Sequence, residues 1–267
     1  VAERPIGMFD SGFGGLTVAR ALIDLLPGED LVYLGDTARY PYGPRPLEEV
    51  AGFAQQIAEL LVHRWNVKLL VVACNTAAAA ALESLRDRFD VPVVGVIEPG
   101  ARALVEATET GRVAVIGTIG TIDSGAYQRA AAAVSEDLDL VALACPGLVE
   151  FVERGEFASE QVHLLAQRLL QPAVDAKVDT MLLGCTHYPY LARTIGDVMG
   201  RDVVLVSSAD ETAFDVRRLM LDTGLARERR SGGRATFVTT GDVNWFEELG
   251  RKLLGPELDR AERIHWP

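Results

Sequence analysis

The chain has 267 residues, 49% hydrophobic and 24% charged, and its 26 basic and 38 acidic side chains leave a formal net charge of −12. That length supports one large or two modest domains with a proper core, and the mix excludes disordered, collagen-like and disulfide-knotted chains. An acidic balance of this size is repelled by phosphate backbones and anionic lipid, so neither nucleic acid nor membrane is expected as a partner.

Short runs of Val, Leu and Ile alternate with stretches whose apolar residues recur at helical spacing. The spacing predicts a strand at Ile6–Asp10, a helix over Leu16–Leu26, a strand at Leu31–Asp36 and a helix over Leu47–Trp65. It then predicts a strand at Leu69–Cys74, a helix over Ala77–Phe89, and strands at Pro92–Val96, Val113–Thr118 and Leu138–Cys145. A helix over Ala158–Ala176 precedes strands at Thr180–Cys185 and Val203–Ser207, and a last strand within Thr236–Asp242 leads into a helical tail, Val243–Pro267. Near-continuous apolar strands separated by helices imply a parallel sheet covered on both faces, the α/β class. In such sheets ligands bind beyond the carboxyl ends of the strands.

Two strand ends resemble each other: Leu69 to Thr76 and Thr180 to His187 both read as apolar strand, small residue, cysteine, then hydrogen-bonding residues. We therefore expect two similar parallel-sheet domains with the site in the cleft between them. Residues 1–97 and 208–267 form the first and residues 98–207 the second, and the chain crosses at the turn-like Glu98-Pro99-Gly100 and Ser207 to Asp210. Val1 to Pro5 lacks the opening of a leader, and the apolar stretch from Leu69 is broken by Asn75 and Thr76 before it spans a bilayer, which reads as a cytoplasmic protein. Cys74, Cys145 and Cys185 include no C-x-x-C pair, so neither a disulfide framework nor a metal site is expected.

A buried cysteine is commonly a small core residue, and Cys145 takes that reading. Cys74 differs: Asn75-Thr76 and the alanine run look like a strand turning into a helix with Thr76 as cap, and a helix N-terminus lowers a thiol's pKa. Cys185 repeats the pattern, with Pro189 suited to a first helical turn. Two thiols presented from two domains suit inversion at a carbon, one removing a proton from one face and the other returning a proton to the opposite face. Donors at the strand ends, including Ser11, Gly12 to Gly15, Tyr42-Gly43, Asn75, Thr76, Thr118, Thr121 and Thr186, would bind carboxylates. The same glycine turn is a poor dinucleotide site, because Thr17 stands where a third glycine is needed, although Asp36 sits where a ribose acid would. Pyridoxal needs a lysine at the site. Lys68 and Lys177 precede the cysteine-bearing strands at the far end of the sheets and Lys252 lies in the tail, so no cofactor is expected.

Phe9 to Thr17, Pro41-Tyr42-Gly43, Ala73 to Thr76 and Gly184 to Pro189 together resemble the glutamate racemase family, in its order and spacing, from about residue 6 to about residue 215. The resemblance implies flavodoxin-like domains that close over the substrate. It also implies cofactor-independent interconversion of L- and D-glutamate in the bacterial cytoplasm, supplying D-glutamate for peptidoglycan. By the same resemblance Cys74 and Cys185 are the two bases, Asp10 assists Cys74 and His187 assists Cys185. A family glutamate falls at Glu153, with Glu150 three residues earlier leaving the register open. Substrate binding falls to Asp10, Ser11, Tyr42, Gly43, Asn75, Thr76, Thr186 and His187, with Thr118 and Thr121 for the Cα carboxylate or the amine. We expect a homodimer. The rivals are another two-cysteine racemase or isomerase acting on aspartate, hydantoins or maleate, a hydrolase with one nucleophilic cysteine and His187 as base, and a non-enzymatic amino-acid-binding regulator.

Overall fold

The computed structural model describes residues 1–229 and 231–266; Pro267, the end of the expected tail, lies outside them. Among the described residues ten strands run in chain order: β1 Ile6–Asp10, β2 Leu31–Gly35, β3 Leu69–Val72, β4 Val93–Gly95, β5 Arg112–Gly117, β6 Asp139–Ala144, β7 Thr180–Leu183, β8 Val204–Ser207, β9 Ala235–Thr239 and β10 Ala261–Arg263. The helices are α1 Leu16–Leu25, α2 Leu47–Arg64, α3 Asn75–Arg88, α4 Ile97–Ala107, α5 Ile119–Asp123, α6 Ala126–Val134, α7 Leu148–Glu153, α8 Glu160–Asp175, α9 Ala192–Met199, α10 Ser208–Asp222 and α11 Val243–Leu254. Every strand named in the sequence reading is present with its ends within two residues, except β9, which stops three residues short of Asp242; β3 and β7 end two residues before their cysteines. The tail differs from expectation, since after α11 it adds the edge strand β10 beside β9.

All strand pairs are parallel and form two sheets, β10-β9-β2-β1-β3-β4 and β6-β5-β7-β8. The central strands β1, β2, β3 and β7 are buried along their whole length. That is why they carry apolar residues without alternation. Helices cover them with one face each: α2 buries Val50, Ala54, Ile57, Ala58 and Leu61, at spacings of four, three, one and three. Ser159, Thr118 and Asp242 cap α8, α5 and α11 through their side-chain oxygens, each worth about 1 kcal/mol to its helix. Among the described residues no helix is long and apolar enough to cross a membrane.

The order β2-β1-β3-β4 within the first sheet repeats as β6-β5-β7-β8 in the second. Each sheet reverses direction of growth at its first strand, which opens a crevice at the carboxyl ends of β1 and β3 in one and of β5 and β7 in the other. Cys74 follows β3 and Cys185 follows β7. The two cysteines therefore occupy equivalent places.

The crossings correct the expected turns. Glu98-Pro99-Gly100 lies inside the first turn and a half of α4, and Ser208 to Asp210 is the first turn of α10, capped by Ser207. Pro99 is tolerated because amides in a first helical turn have no intrahelical acceptor to lose. Gly100 serves packing: a Cβ there would stand 3.0 Å from Ser208 Cβ, so its absence lets the two crossing helices approach.

Candidate active site

The two crevices open on one cavity, lined by residues that follow β1, β3, β5, β6 and β7. Cys74 and Cys185 both line it. Ser11, Tyr42, Gly43, Asn75, Thr76, Thr118, Thr186 and His187 line it as well. Asp10, Thr121 and Glu153 stand one layer behind, each bonded to a wall residue. The Thr186 hydroxyl donates to Asp10 Oδ1 at 3.4 Å. Thr121 Oγ1 lies 3.0 Å from Thr118 Oγ1 and 3.2 Å from Thr76 Oγ1. Glu153 Oε1 lies 3.1 Å from His187 Nε2. Glu150 is on the wall, so the two glutamates divide: one faces the cavity, the other faces the histidine.

Cys74 is itself the N-cap of α3, its Sγ accepting from the Ala77 amide at 3.5 Å. Thr76, expected as the cap, lies inside the first turn and spends its hydroxyl on Thr118 and Thr121. The expected low pKa is also corrected. Burial, then the nearby Asp10 carboxylate, pushes the Cys74 thiol up to about 12, against the pull of the Ala77 and Ser11 amides. Desolvation of a thiolate outweighs what a helix end returns. Cys185 departs differently: the chain after it makes a 3₁₀ turn, Tyr188–Leu191, before α9, so no α-helix begins at this thiol. Its partner is His187, with Sγ 3.8 Å from Nδ1.

His187 is buried between Cys185 and Glu153. Burial works against the imidazolium, but the hydrogen bonds to Cys185 and Glu153, with their charges, outweigh it and hold the ring up to about 10. A pKa raised above the unfolded value of about 6.5 stabilises the fold fully below that pH, and the contribution is lost as pH rises through the folded value. Glu153→Gln removes one of the two anions, so the His187 midpoint should fall toward its ordinary value. NMR titration of the ring reads this directly, and an unchanged midpoint would remove Glu153 from the account.

Two residues of the cavity wall carry buried donors that lack a partner at normal hydrogen-bond geometry. Asn75 Oδ1 accepts from the Tyr127 hydroxyl at 2.5 Å, which leaves Asn75 Nδ2 buried and unbonded among the described residues. The Tyr40 hydroxyl is likewise buried and unbonded there, on the same wall, with its ring 6.4 Å from that of His187. An unpaired buried donor costs roughly 1–3 kcal/mol, a cost that an anionic ligand would remove. Tyr42, by contrast, turns its hydroxyl away to Asp36. Asp36 also accepts from Arg39, Thr240 and Trp266, which makes it a structural hub and not a ribose acid. Lys68 is buried among Glu29 and the carbonyls of Ala2 and Leu225, at the opposite end of β3 from Cys74. Cys145 is buried, as expected of a core residue, but it also lines the wall, and burial followed by the charge of Cys185 pushes its thiol up to about 12.

Hydrogen bonds tie the sheets together around the cavity. The Gly120 amide donates to the Gly43 carbonyl at 2.9 Å, and Thr76 lies 2.9 Å from Thr118 between hydroxyls. Gly14 is the tightest approach: a Cβ there would stand 2.2 Å from Thr186 Oγ1 and 2.4 Å from His187 Nδ1. Sequence reasoning placed the glycine run at the site as an anion-binding turn and missed this packing role. Tyr40 and Tyr127 were missed as well; Tyr40 adjoins the Pro41-Tyr42-Gly43 motif, whereas nothing local marks Tyr127.

Residues 14–213 match the Asp/Glu/Hydantoin racemase family. The chain is 54% identical to a glutamate racemase of Parafrankia sp., over 97% of this chain and 93% of that one. A crystal structure of a glutamate racemase isoform from Bacillus anthracis superposes with a TM-score of 0.94 at 40% identity, covering 100% of this chain and 98% of the other. The glutamate racemase of Francisella tularensis, in complex with D-glutamate, gives a TM-score of 0.92 at 30% identity, covering 99% and 98%. The chain thus belongs to the Asp/Glu/hydantoin racemase family, on its glutamate racemase side, and is an isomerase.

Proposed function

We propose that this racemase interconverts L- and D-glutamate by two-base proton transfer between Cys74 and Cys185. The observation that supports this most is that the two sulfurs line one cavity from equivalent ends of two similarly ordered sheets. One thiolate removes the α-proton, the pair of electrons passes toward the substrate carboxylate, and the opposite thiol delivers its proton to the other face. In the reverse reaction the two exchange roles.

The surroundings divide the work. With its thiol pushed up to about 12, Cys74 rests protonated and acts first as acid. His187, held by Glu153 and 3.8 Å from Cys185 Sγ, orients that sulfur and sets a positive charge beside it. Asp10, fixed by the Gly12 amide at 2.9 Å and by Thr186, is a positioning residue between the two halves. The free Nδ2 of Asn75, with the hydroxyls of Ser11, Thr76, Thr118 and Thr186, would bind substrate carboxylates and stabilise charge that moves onto them. Thr121 supports Thr76 and Thr118 from behind, and Tyr42 and Gly43 shape the wall. The chemistry needs no cofactor beyond these thiols.

We place the domain limits at residues 1–97 with 208–267 and at 98–207, so that opening between them admits substrate and the hydrogen bonds across the cavity close it. The role that follows is supply of D-glutamate for peptidoglycan in the bacterial cytoplasm.

The test is exchange in D₂O without added cofactor. Deuterium should appear at Cα of glutamate far faster than at Cα of aspartate, with D-glutamate accumulating from the L-form. Faster exchange into aspartate would assign the site to a sister activity, and binding without exchange would assign it to a regulator.

A further inference from the structure

The part of the cavity wall that carries Tyr40, Tyr42 and Gly43 is a loop, residues 36–46 between β2 and α2, with no helix or strand of its own. Among the described residues its internal backbone bonds close only the turns Asp36 to Arg39 and Tyr42 to Arg45. Side chains must therefore hold its shape. Asp36 lies at the centre of that hold, fully buried, and each of its carboxylate oxygens accepts two hydrogen bonds. Oδ2 accepts from Arg39 Nε at 2.6 Å and from the Tyr42 hydroxyl, and Oδ1 accepts from Thr240 Oγ1 at 2.7 Å and from Trp266 Nε1 at 3.1 Å. A carboxylate has room for about four such bonds, so none is spare.

Trp266 reaches the loop because β10 runs parallel to β9, which brings the chain out at the edge of the sheet where Asp10, Asp36 and Cys74 also lie. Ile264 still donates to the Thr239 carbonyl at 2.9 Å, and two residues later the indole lies half-buried on Arg39. The Arg39 guanidinium is held between two rings, 3.9 Å from the centroid of Trp266 and 4.2 Å from that of Phe53. Both ring faces attract the cation. Phe53 in turn packs on Tyr42, with ring centroids 5.6 Å apart. Trp266 thus touches both charges of the Asp36–Arg39 pair while standing outside the cavity wall, and outside residues 14–213 that match the family.

We propose that Trp266 is a positioning residue, whose indole latches the 36–46 loop in its substrate-binding shape through Asp36 and Arg39. Its effect on glutamate rests on the racemisation proposed for this site. Without the indole, Asp36 Oδ1 loses a donor and Arg39 loses one of its two rings, so the loop spends part of its time out of shape. Apparent affinity then falls with the competent fraction. The thiols stand on other segments and react as before once substrate is held.

Steady-state kinetics and hydrogen exchange on the full chain test this. Trp266→Ala should raise KM for glutamate about tenfold, as a loop competent for about a tenth of the time requires, with kcat within about twofold of wild type. Trp266→Phe keeps a ring over Arg39 and loses only the N–H, so its KM should rise no more than about threefold. In the unliganded alanine variant the amides of residues 36–46 should exchange faster than in wild type, while those of β1 and β3 keep their protection. A wild-type KM in the alanine variant, a fall in kcat at unchanged KM, or faster exchange spread over the whole sheet would each overturn the latch. Should Trp266→Ala fail to fold, the phenylalanine variant decides: faster exchange confined to residues 36–46 upholds the latch, and unchanged exchange overturns it. A wild-type chain that does not turn over glutamate would remove the proposed racemisation, and the exchange measurement would still judge the latch.

Discussion

Replacing Cys74 or Cys185 by alanine should lower racemisation by at least about 10³-fold, toward the upper end of what one acid–base group contributes. The loss should be equal in both directions. Enantiomers have the same free energy in water, so the equilibrium constant is one, and removing either proton carrier lowers the forward and reverse kcat/KM together. Each substitution deletes one small buried atom, so the fold should lose only about 1–2 kcal/mol and the melting transition should stay cooperative. Chiral chromatography of reactions started from each enantiomer measures the effect. If Cys74→Ala kept most of its activity while Cys185→Ala lost it, the chemistry would belong to a single nucleophile with His187 as base, and the paired mechanism would fall.

Gly14→Ala should lower kcat/KM by roughly 10²-fold, the scale expected when catalytic groups are displaced by about 1 Å. The added methyl would lie far inside van der Waals contact of Thr186 Oγ1 and His187 Nδ1, so those side chains must retreat and carry Cys185's partner with them. Gly14 has no left-handed backbone angle, so the backbone itself accepts alanine and the penalty is purely this collision. Gly52 supplies a matched control. A Cβ there meets nothing within 4 Å, and the site lies inside α2. Gly52→Ala should leave activity unchanged and raise stability by about 0.5–1 kcal/mol. Equal activity in the two variants would show that closure around the site tolerates a methyl at position 14, contrary to this packing.

The proposed chemistry was more legible than its electrostatics. Strand ends announce themselves because a parallel strand buried on both faces must be apolar and its first polar residues must come where the sheet stops, which put Cys74 and Cys185 on view. The thiol pKa values were not legible in this way. A helix start is visible in Asn75-Thr76 and the alanines, but the desolvation that overrides it comes from residues far away in the chain closing over Cys74. The two crossings misled for a related reason: Pro99 and Gly100 carry the local signature of a turn, yet both lie at the start of a helix, where proline is tolerated and Gly100 leaves room for Ser208.

Local sequence by itself determined the alternation of strand and helix, the placing of two cysteines at like strand ends and the absence of a lysine near either, since each of these depends on neighbours in the chain. The tertiary structure alone decided that Glu153 and not Glu150 reaches His187, that Tyr127 holds Asn75 with one amide donor free, and that Gly14 must be bare. The first of these joins two elements of one domain and the other two cross between the sheets, and contacts between residues tens to more than a hundred positions apart leave no periodic trace in either partner's own segment.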